Sequence, residues 1–264
     1  MVYNTCKNLL ETNNLSYELK KYLLDDLIND LYFQPKKINK ELIDKKINNS
    51  YYINNVTKTI NAYKDIDIEK LIGEKISFFE NNISYKIDDY KIYVIIGLGT
   101  TTIYSTKYNG EDVTVLLLES TDGNIDNLDM LLAHEFTHFV RRQVFKRDIF
   151  ENTIGERFVV EGIGCNYSRE VVPGKEDYEY CIVDSNTVEW VKTNIDKVEE
   201  HMKSKLNSNE LMYDYFYMFA DTKKTGLPAR TGYVYGYLKI KEFLEKNNLR
   251  IKDIIKKDWN EILK

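Results

Sequence analysis

Hydrophobic residues recur at helical spacing through the first third of the chain. The segments LSYELKKYLLDDLINDLYF, residues 15–33, and IEKLIGEKISFFEN, residues 68–81, place apolar side chains three and four positions apart. The pattern changes in YKIYVIIGLGTTTIYSTKYNGEDVTVLLLES, residues 90–120, where β-branched and aromatic residues dominate. Asn109-Gly110 within it is typical of a two-residue hairpin turn. We therefore predict a helical N-terminal region, residues 1–88, followed by a small antiparallel sheet from about residue 90 to 119.

Helical patterns return after the segment STDGNID, residues 120–126. A strongly apolar helix is predicted from about Asp126 to Arg147, and a second helix begins near Thr153. The C-terminal residues, 185–264, again have helical spacing. We expect an α+β fold in which the sheet packs on the first of these helices, and in which residues 89–264 form a domain of their own.

Composition and charge narrow the classes of partner. The 264 residues are 43% hydrophobic, carry a formal net charge of -5 and have a pI of about 5.5, so no basic surface is expected to attract nucleic acid or an anionic membrane. No apolar run has membrane-spanning length. Cys6, Cys165 and Cys181 are too widely spaced for a structural zinc motif and fit a reducing compartment. We predict a cytoplasmic protein that binds neither nucleic acid nor membrane.

Two of the three histidines lie four residues apart in LLAHEFTHFVRRQVF, residues 131–145. On an α-helix, His134 and His138 are separated by roughly 6 Å along the axis and share a face, so both imidazoles can bind one metal ion. Glu135 lies to one side of that position, where a carboxylate can accept a proton from a metal-bound water. Imidazole favours zinc, whereas magnesium and calcium prefer oxygen ligands. The motif therefore predicts a zinc site with Glu135 as its general base.

The alternative is that these are ordinary histidines of a buried helix. The apolar residues between positions 131 and 140 surround them with low-dielectric material, where a polar group without a partner is costly. A ligand role removes that cost. His201, in the charged segment KVEEHMKSK, is by contrast predicted to be a surface histidine.

A catalytic zinc site needs a third protein ligand. The candidate acids downstream are Asp148, Glu151, Glu156, Glu161 and Glu170. The segment TIGE, residues 153–156, matches a capping box in which Thr153 caps a helix and Glu156 reaches back to the cap. A helix that returns antiparallel from that cap rises about 12 Å by Glu161, which comes level with His138. We therefore predict Glu161 as the third ligand and assign Glu156 to the cap.

HEFTH, residues 134–138, and VVEGIG, residues 159–164, resemble the pattern of gluzincins, zinc metallopeptidases whose ligands are two histidines and a glutamate on the following helix. With TGYVYGYLKI, residues 231–240, the resemblance is closest to a family of bacterial predicted zinc-dependent proteases. It covers about Val113–Ile240 and implies that residues 89–264 are a zincin-like metallopeptidase domain. The chain departs from the pattern in two ways: the stretch between the second histidine and the glutamate is longer than in thermolysin-like enzymes, and Cys165 stands where some gluzincins keep a further carboxylate.

The resemblance implies further roles. Gluzincins commonly use the strand before the active helix as an edge that pairs with the substrate, and Val113–Ser120 occupies that place, although an internal strand is equally compatible with the sequence. A tyrosine of the 231–240 segment is implied as a hydrogen-bond donor to the oxyanion, with Tyr233 preferred over Tyr237 and core packing as the alternative. Cys165 could enter the metal shell or be a small buried thiol.

The combined prediction is a zinc metallopeptidase, a hydrolase that acts on a peptide or protein substrate through a zinc-bound water activated by Glu135. Zinc would be held by His134, His138 and Glu161, and Tyr233 is the second candidate catalytic residue. One alternative is a regulatory protein that keeps the zinc site but cleaves nothing or only one partner. The other is a purely structural helical protein, which requires the H-E-x-x-H motif to be accidental.

Overall fold

The computed structural model of the protein describes residues 1–12, 14–31, 40–99, 102–146, 153–210, 218 and 226–263. The described chain is α+β and mainly helical, as predicted. Its first helices are α1 (Lys7–Leu10), α2 (Leu15–Leu23), α3 (Asp26–Leu31), α4 (Lys40–Ile47), α5 (Ser50–Tyr63) and α6 (Ile68–Ile83). The later ones are α7 (Ile125–Phe145), α8 (Ile154–Val171), α9 (Asp177–Cys181), α10 (Ser185–Thr193), α11 (Ile195–Lys203), α12 (Thr231–Asn247), α13 (Ile251–Ile254) and α14 (Trp259–Ile262).

The sheet has four strands in the order β1 (Val2–Asn4), β2 (Ile92–Ile95), β4 (Glu111–Leu117) and β3 (Ile103–Tyr108). β1 and β2 are parallel, β2 and β4 are parallel, and only β3 and β4 are antiparallel. The prediction of an antiparallel sheet is therefore wrong for two of its three strand pairings. The hairpin places β3 on the far side of β4, so β4 returns beside β2 in the same direction as β2.

The predicted hairpin turn is confirmed. Asn109 and Gly110 both have positive φ, 51° and 81°, and they connect Tyr108 to Glu111, the last pair of the antiparallel ladder. A two-residue turn with two positive φ values matches the twist of the strands that flank it. Local sequence was sufficient here because the turn and its two strands are consecutive.

The strand at Val113–Ser120 is internal rather than an edge. β4 pairs with β2 on one side and with β3 on the other, and the chain continues from it into a 3-10 helix at Leu118–Thr121. β3 is the last strand of the sheet formed by the described residues. Of the two alternatives that the sequence left open, the internal strand is correct, and the substrate-pairing role does not fall on Val113–Ser120.

The N-terminal region is not wholly helical, because Val2–Asn4 forms a strand. It pairs in register with Ile92–Val94, and the ring of Tyr3 stacks on that of Tyr93 at 4.8 Å between centroids. Three residues give too short a pattern to separate a strand from a loop, and the partner lies about ninety positions away in the sequence.

The chain divides into two compact units. One comprises residues 1–80 and 86–135, and the other residues 81–85 and 136–264, with the division inside α7. The first contains the sheet and helices α1 to α5. The second contains α8 to α14. The domain boundary predicted at residues 88 and 89 stays a prediction.

In the second unit, α8 and α12 meet at two glycines. A Cβ atom built on Gly162 would lie 2.3 Å from the carbonyl oxygen of Gly236, and one built on Gly236 would lie 2.1 Å from the carbonyl oxygen of Phe158. The side-chain amide of Asn166 donates to the carbonyl oxygens of Gly162 and Tyr237, at 2.8 and 3.0 Å, and so bridges the two helices.

No helix in the described ranges has the length and apolar content needed to cross a membrane.

Candidate metal centre

Helices α7 and α8 carry the candidate ligands. α7 begins at Ile125 and ends at Phe145, close to the predicted limits, and its apolar side chains between Leu131 and Val140 are buried. α8 begins at Ile154 with Thr153 as its N-cap, whose hydroxyl accepts a hydrogen bond from the backbone N–H of Glu156 at 3.2 Å. The predicted start of the second helix is therefore confirmed.

Three predicted residues lie together. The ligand atoms of His134, His138 and Glu161 are all within 4.8 Å of one another. Nε2 of His138 is 3.6 Å from Oε2 of Glu161. His134 and Glu161 are buried, with 8% and 3% of their surface exposed, and the side chain of His138 is 14% exposed. The return of α8 thus places Glu161 level with His138, as the rise of an antiparallel helix predicts.

These distances fit one zinc ion. Donor atoms roughly 2.0–2.2 Å from a tetrahedral zinc lie about 3.3–3.6 Å from one another, so the observed separations need only small side-chain rotations to close on a single ion. Two imidazoles and one carboxylate are also the donor set of a catalytic site that keeps a fourth position open. The chemistry of the three residues therefore fits zinc better than a hard cation that requires an oxygen cage.

Glu156 has a different role from the one predicted. Its carboxylate, 2% exposed as a residue, accepts hydrogen bonds from Nε and Nη2 of Arg141 rather than reaching back to the N-cap. Only the Thr153 half of the predicted capping box is therefore present. The buried guanidinium of Arg141 is a stronger partner than the backbone N–H of the cap, because its hydrogen bonds to the carboxylate are charge-assisted and bidentate.

Glu135 is buried, with 4% of its surface exposed, and its carboxylate accepts a hydrogen bond from the hydroxyl of Ser105 on β3. Ser105 was not among the residues predicted for the site. The only sequence signal was its place in a short alternating strand, IYSTKY, thirty residues before Glu135. Such a signal places the residue in a sheet but does not identify which side chain it contacts.

Tyr233 and Tyr237 lie one turn apart on α12 but have different surroundings. The pKa of Tyr233 is raised, first by burial and then by the negative charge of Glu161, and the guanidinium of Arg230 lies 4.4 Å from the centre of its ring. The hydroxyl of Tyr237 donates to Oδ1 of Asp177 at 2.6 Å. Tyr233 is therefore electrostatically coupled to Glu161, whereas Tyr237 is held by Asp177.

The remaining candidates that the structure describes are outside the cluster. Glu170 accepts hydrogen bonds from the backbone N–H of Ile251 and from Arg250, and it is not part of the cluster. Asp148 and Glu151 lie outside the described residues. Cys165 is fully buried and is not part of the cluster, in agreement with a buried thiol, and His201 is exposed, as predicted.

Of the comparisons with known proteins, the one with family models gives a match. No curated protein and no solved structure matches the chain. A family model described as "Predicted Zn-dependent protease (DUF2268)" matches residues 67–264, three quarters of the sequence. That range includes all three clustered residues. The chain therefore belongs to this family of predicted zinc-dependent proteases.

Proposed function

We propose that the protein is a zinc-dependent peptidase of the gluzincin type, with His134, His138 and Glu161 as the zinc ligands. The observation that carries the proposal is the cluster itself, two imidazoles and a carboxylate within 4.8 Å on two successive helices. The family description supports the same activity. Zinc, when bound, supplies Lewis acidity toward a peptide carbonyl and lowers the pKa of water toward about 7.

Glu135 is the proposed general base. It is on the helix turn that carries His134, and a carboxylate there can accept the proton of an attacking water and pass it to the leaving amine. Ser105 donates a hydrogen bond to Oε1 of this carboxylate, which limits its rotation. We assign Ser105 the role of positioning Glu135.

Tyr233 is proposed as the donor to the oxyanion. Its hydroxyl is protonated at neutral pH, as that of an ordinary tyrosine with a pKa of about 10 is, and can therefore donate a hydrogen bond. Its surroundings raise the pKa further. Burial and the charge of Glu161 are the causes of that rise. Tyr237 is the weaker candidate, because its hydroxyl already donates to Asp177.

The substrate proposed is an extended peptide or a protein segment. β3 is the last strand of the described sheet, and it carries the serine that contacts Glu135. A peptide that added a strand beside β3 would be recognised through its backbone, largely independently of its side chains. We propose that the protein acts in the cytoplasm, because its three cysteines, none of which is in a disulfide, fit a reducing compartment.

The test is a comparison of the zinc-loaded wild type with Glu135→Gln on a broad peptide library, read by mass spectrometry. The variant is expected to fold and to bind zinc like the wild type, because Glu135 is not assigned as a ligand. Hydrolysis is expected to fall by about 10²- to 10⁴-fold, the usual loss when acid–base assistance is removed. Glu189→Gln, which makes the same change at a side chain 72% exposed, is the matched control.

Two results would count against the proposal. If Glu135→Gln cleaves the same peptides at an undiminished rate, Glu135 is not the base. If the wild type binds zinc but cleaves nothing in the library, the protein is better described as a binding or regulatory protein that keeps the zinc site.

A further inference from the structure

The two carboxylate oxygens of Glu161 have different neighbours. Its Oε2 atom lies 3.6 Å from Nε2 of His138, and its Oε1 atom lies 3.3 Å from Nη1 of Arg157. Arg157 precedes Glu161 by four residues on α8, so the two side chains share one face of the helix. The two oxygens of one carboxylate therefore meet different groups.

Arg157 is in the first turn of α8 and is largely buried. The side chain of Arg157 is 20% exposed and that of Glu161 only 3%, so their attraction is screened less than that of a surface pair. The charges of both residues also act on the hydroxyl of Tyr233: the charge of Glu161 raises its pKa and that of Arg157 lowers it.

A free carboxylate can bind a metal ion through one oxygen or through both. Binding through both would occupy the position that a catalytic zinc keeps open for water or substrate. A guanidinium that holds one oxygen by a charge-assisted hydrogen bond would oppose that second contact.

We propose that Arg157 is a positioning residue that reserves Oε1 of Glu161, so that Glu161 binds zinc through Oε2 alone. This inference rests on the proposed zinc site and deepens it. Arg157 does not touch the ion. It sets the number of oxygens that Glu161 offers, and thereby keeps the fourth coordination position available. The gluzincin pattern suggested a further carboxylate at position 165 of this chain, where Cys165 stands; Arg157 acts on the ligand from the opposite direction along the helix.

The test measures coordination rather than hydrolysis. Zinc-loaded wild type, Arg157→Leu and Arg157→Lys are compared by X-ray absorption in solution and by crystallography, with melting temperature as the folding control. In the wild type, about four donors are expected, with one oxygen of Glu161 at bonding distance. In Arg157→Leu, the number is expected to rise to about five, because Oε1 turns to the ion at roughly 2.0–2.2 Å. Arg157→Lys is expected to keep the wild-type coordination, since an ammonium can still hold Oε1.

Arg169→Leu is the matched control, the same change on the same helix at an arginine 3.8 Å from Glu245. It is expected to leave coordination unchanged. Wild-type coordination in a folded Arg157→Leu would overturn the role of Arg157 while leaving the zinc site intact. A wild type that binds no zinc would overturn both the site and this inference, so the two failures are distinguishable.

Discussion

Arg141 holds both oxygens of Glu156. Nε and Nη2 of the guanidinium donate to Oε1 at 2.9 and 2.7 Å, Nη2 also donates to Oε2 at 2.7 Å, and both side chains are almost fully buried. Nη1 donates to the carbonyl oxygens of Ile255 and Lys257 at 3.0 and 3.1 Å. One guanidinium thus ties α7 to α8 and to the chain after α13, within the unit that contains Glu161.

Glu156→Ala is expected to lower the free energy of unfolding by about 3–5 kcal/mol, because it leaves the charge of Arg141 buried without its partner. Thr153→Ala, which removes only the N-cap, is expected to cost about 1 kcal/mol. Urea denaturation of both variants gives the comparison. Equal losses would mean that Glu156 contributes no more than a cap.

Zinc content is expected to be about one ion per chain after reconstitution, since one set of two imidazoles and a carboxylate has been found in the described residues. Elemental analysis should give a value near zero for the double variant His134→Ala, His138→Ala, and a weakened affinity for Glu161→Ala. His201→Ala, at an exposed histidine, should bind as the wild type does. Unchanged zinc in the double variant would place the metal elsewhere.

Ser105→Ala is expected to lower kcat by about 10-fold, with a smaller change in KM and with zinc retained, because the change removes a hydrogen bond that orients the Glu135 carboxylate. The rates are measured on a peptide found with the Glu135→Gln comparison. Ser105→Thr, which keeps a hydroxyl, should restore most of the rate. Thr106→Ala is the control, since its side chain points to the opposite face of β3. An equal loss in both alanine variants would indicate a general effect on the strand.

Gly236→Ala is expected to destabilise the protein by about 1–3 kcal/mol or more, because the added methyl group would collide with the backbone of α8 at Phe158. Gly73→Ala in α6 is the matched control: its methyl group would meet nothing within 4 Å, and alanine favours a helix by about 1 kcal/mol. The first variant should therefore melt at a lower temperature than the wild type and the second at the same or a higher one. Wild-type stability in Gly236→Ala would contradict the close contact of the two helices.

The buried carboxyl of Glu119 is expected to make the free energy of unfolding depend on pH. Its carboxylate is buried beneath the backbone N–H groups of Gly97 and Gly99, and burial raises its pKa from 4.5 to about 7 although those hydrogen bonds lower it. The folded state therefore holds a proton that the unfolded state releases between these values. The stability contribution is complete below about pH 4.5 and is lost as pH rises to about 7, by roughly 3 kcal/mol in all.

Glu119→Gln should remove this contribution to the pH dependence, because the amide does not ionise. Urea denaturation of the wild type and the variant at pH 5 and pH 8 gives the difference that isolates Glu119 from the other titrating groups. Parallel pH profiles for the two proteins would show that the carboxyl of Glu119 titrates alike in the folded and unfolded states.

The cluster of two histidines and a glutamate was predictable from the sequence because each step of the prediction used only residues close together in the chain. Four-residue spacing placed His134 and His138 on one face, a cap fixed the start of α8, and a constant rise per residue carried Glu161 to the level of His138. The capping-box pattern led to the wrong partner for the Glu156 side chain. A glutamate at this position can accept a hydrogen bond from the backbone of the cap or from a cation elsewhere in the sequence. Arg141, fifteen residues earlier, decided between them.

The sheet was less predictable because its order depends on non-local pairing. The hairpin followed from Asn109-Gly110, but nothing in the alternation of Val113–Ser120 indicates how many neighbours that strand has. Ser105 was missed for the same reason, since the contact with Glu135 joins a strand to a helix thirty residues later.

The strand at Val2–Asn4 lies outside the range of the family match, yet it pairs with Ile92–Val94 inside that range. A fragment trimmed to residues 67–264 would leave the outer backbone N–H and C=O groups of β2 without their present partners, and such an exposed row templates association with other chains. Self-association of that fragment would therefore reveal an uncovered strand rather than a natural oligomer. The N-terminal strand would in this way protect the edge of β2 against aggregation, although it carries none of the residues proposed for the chemistry.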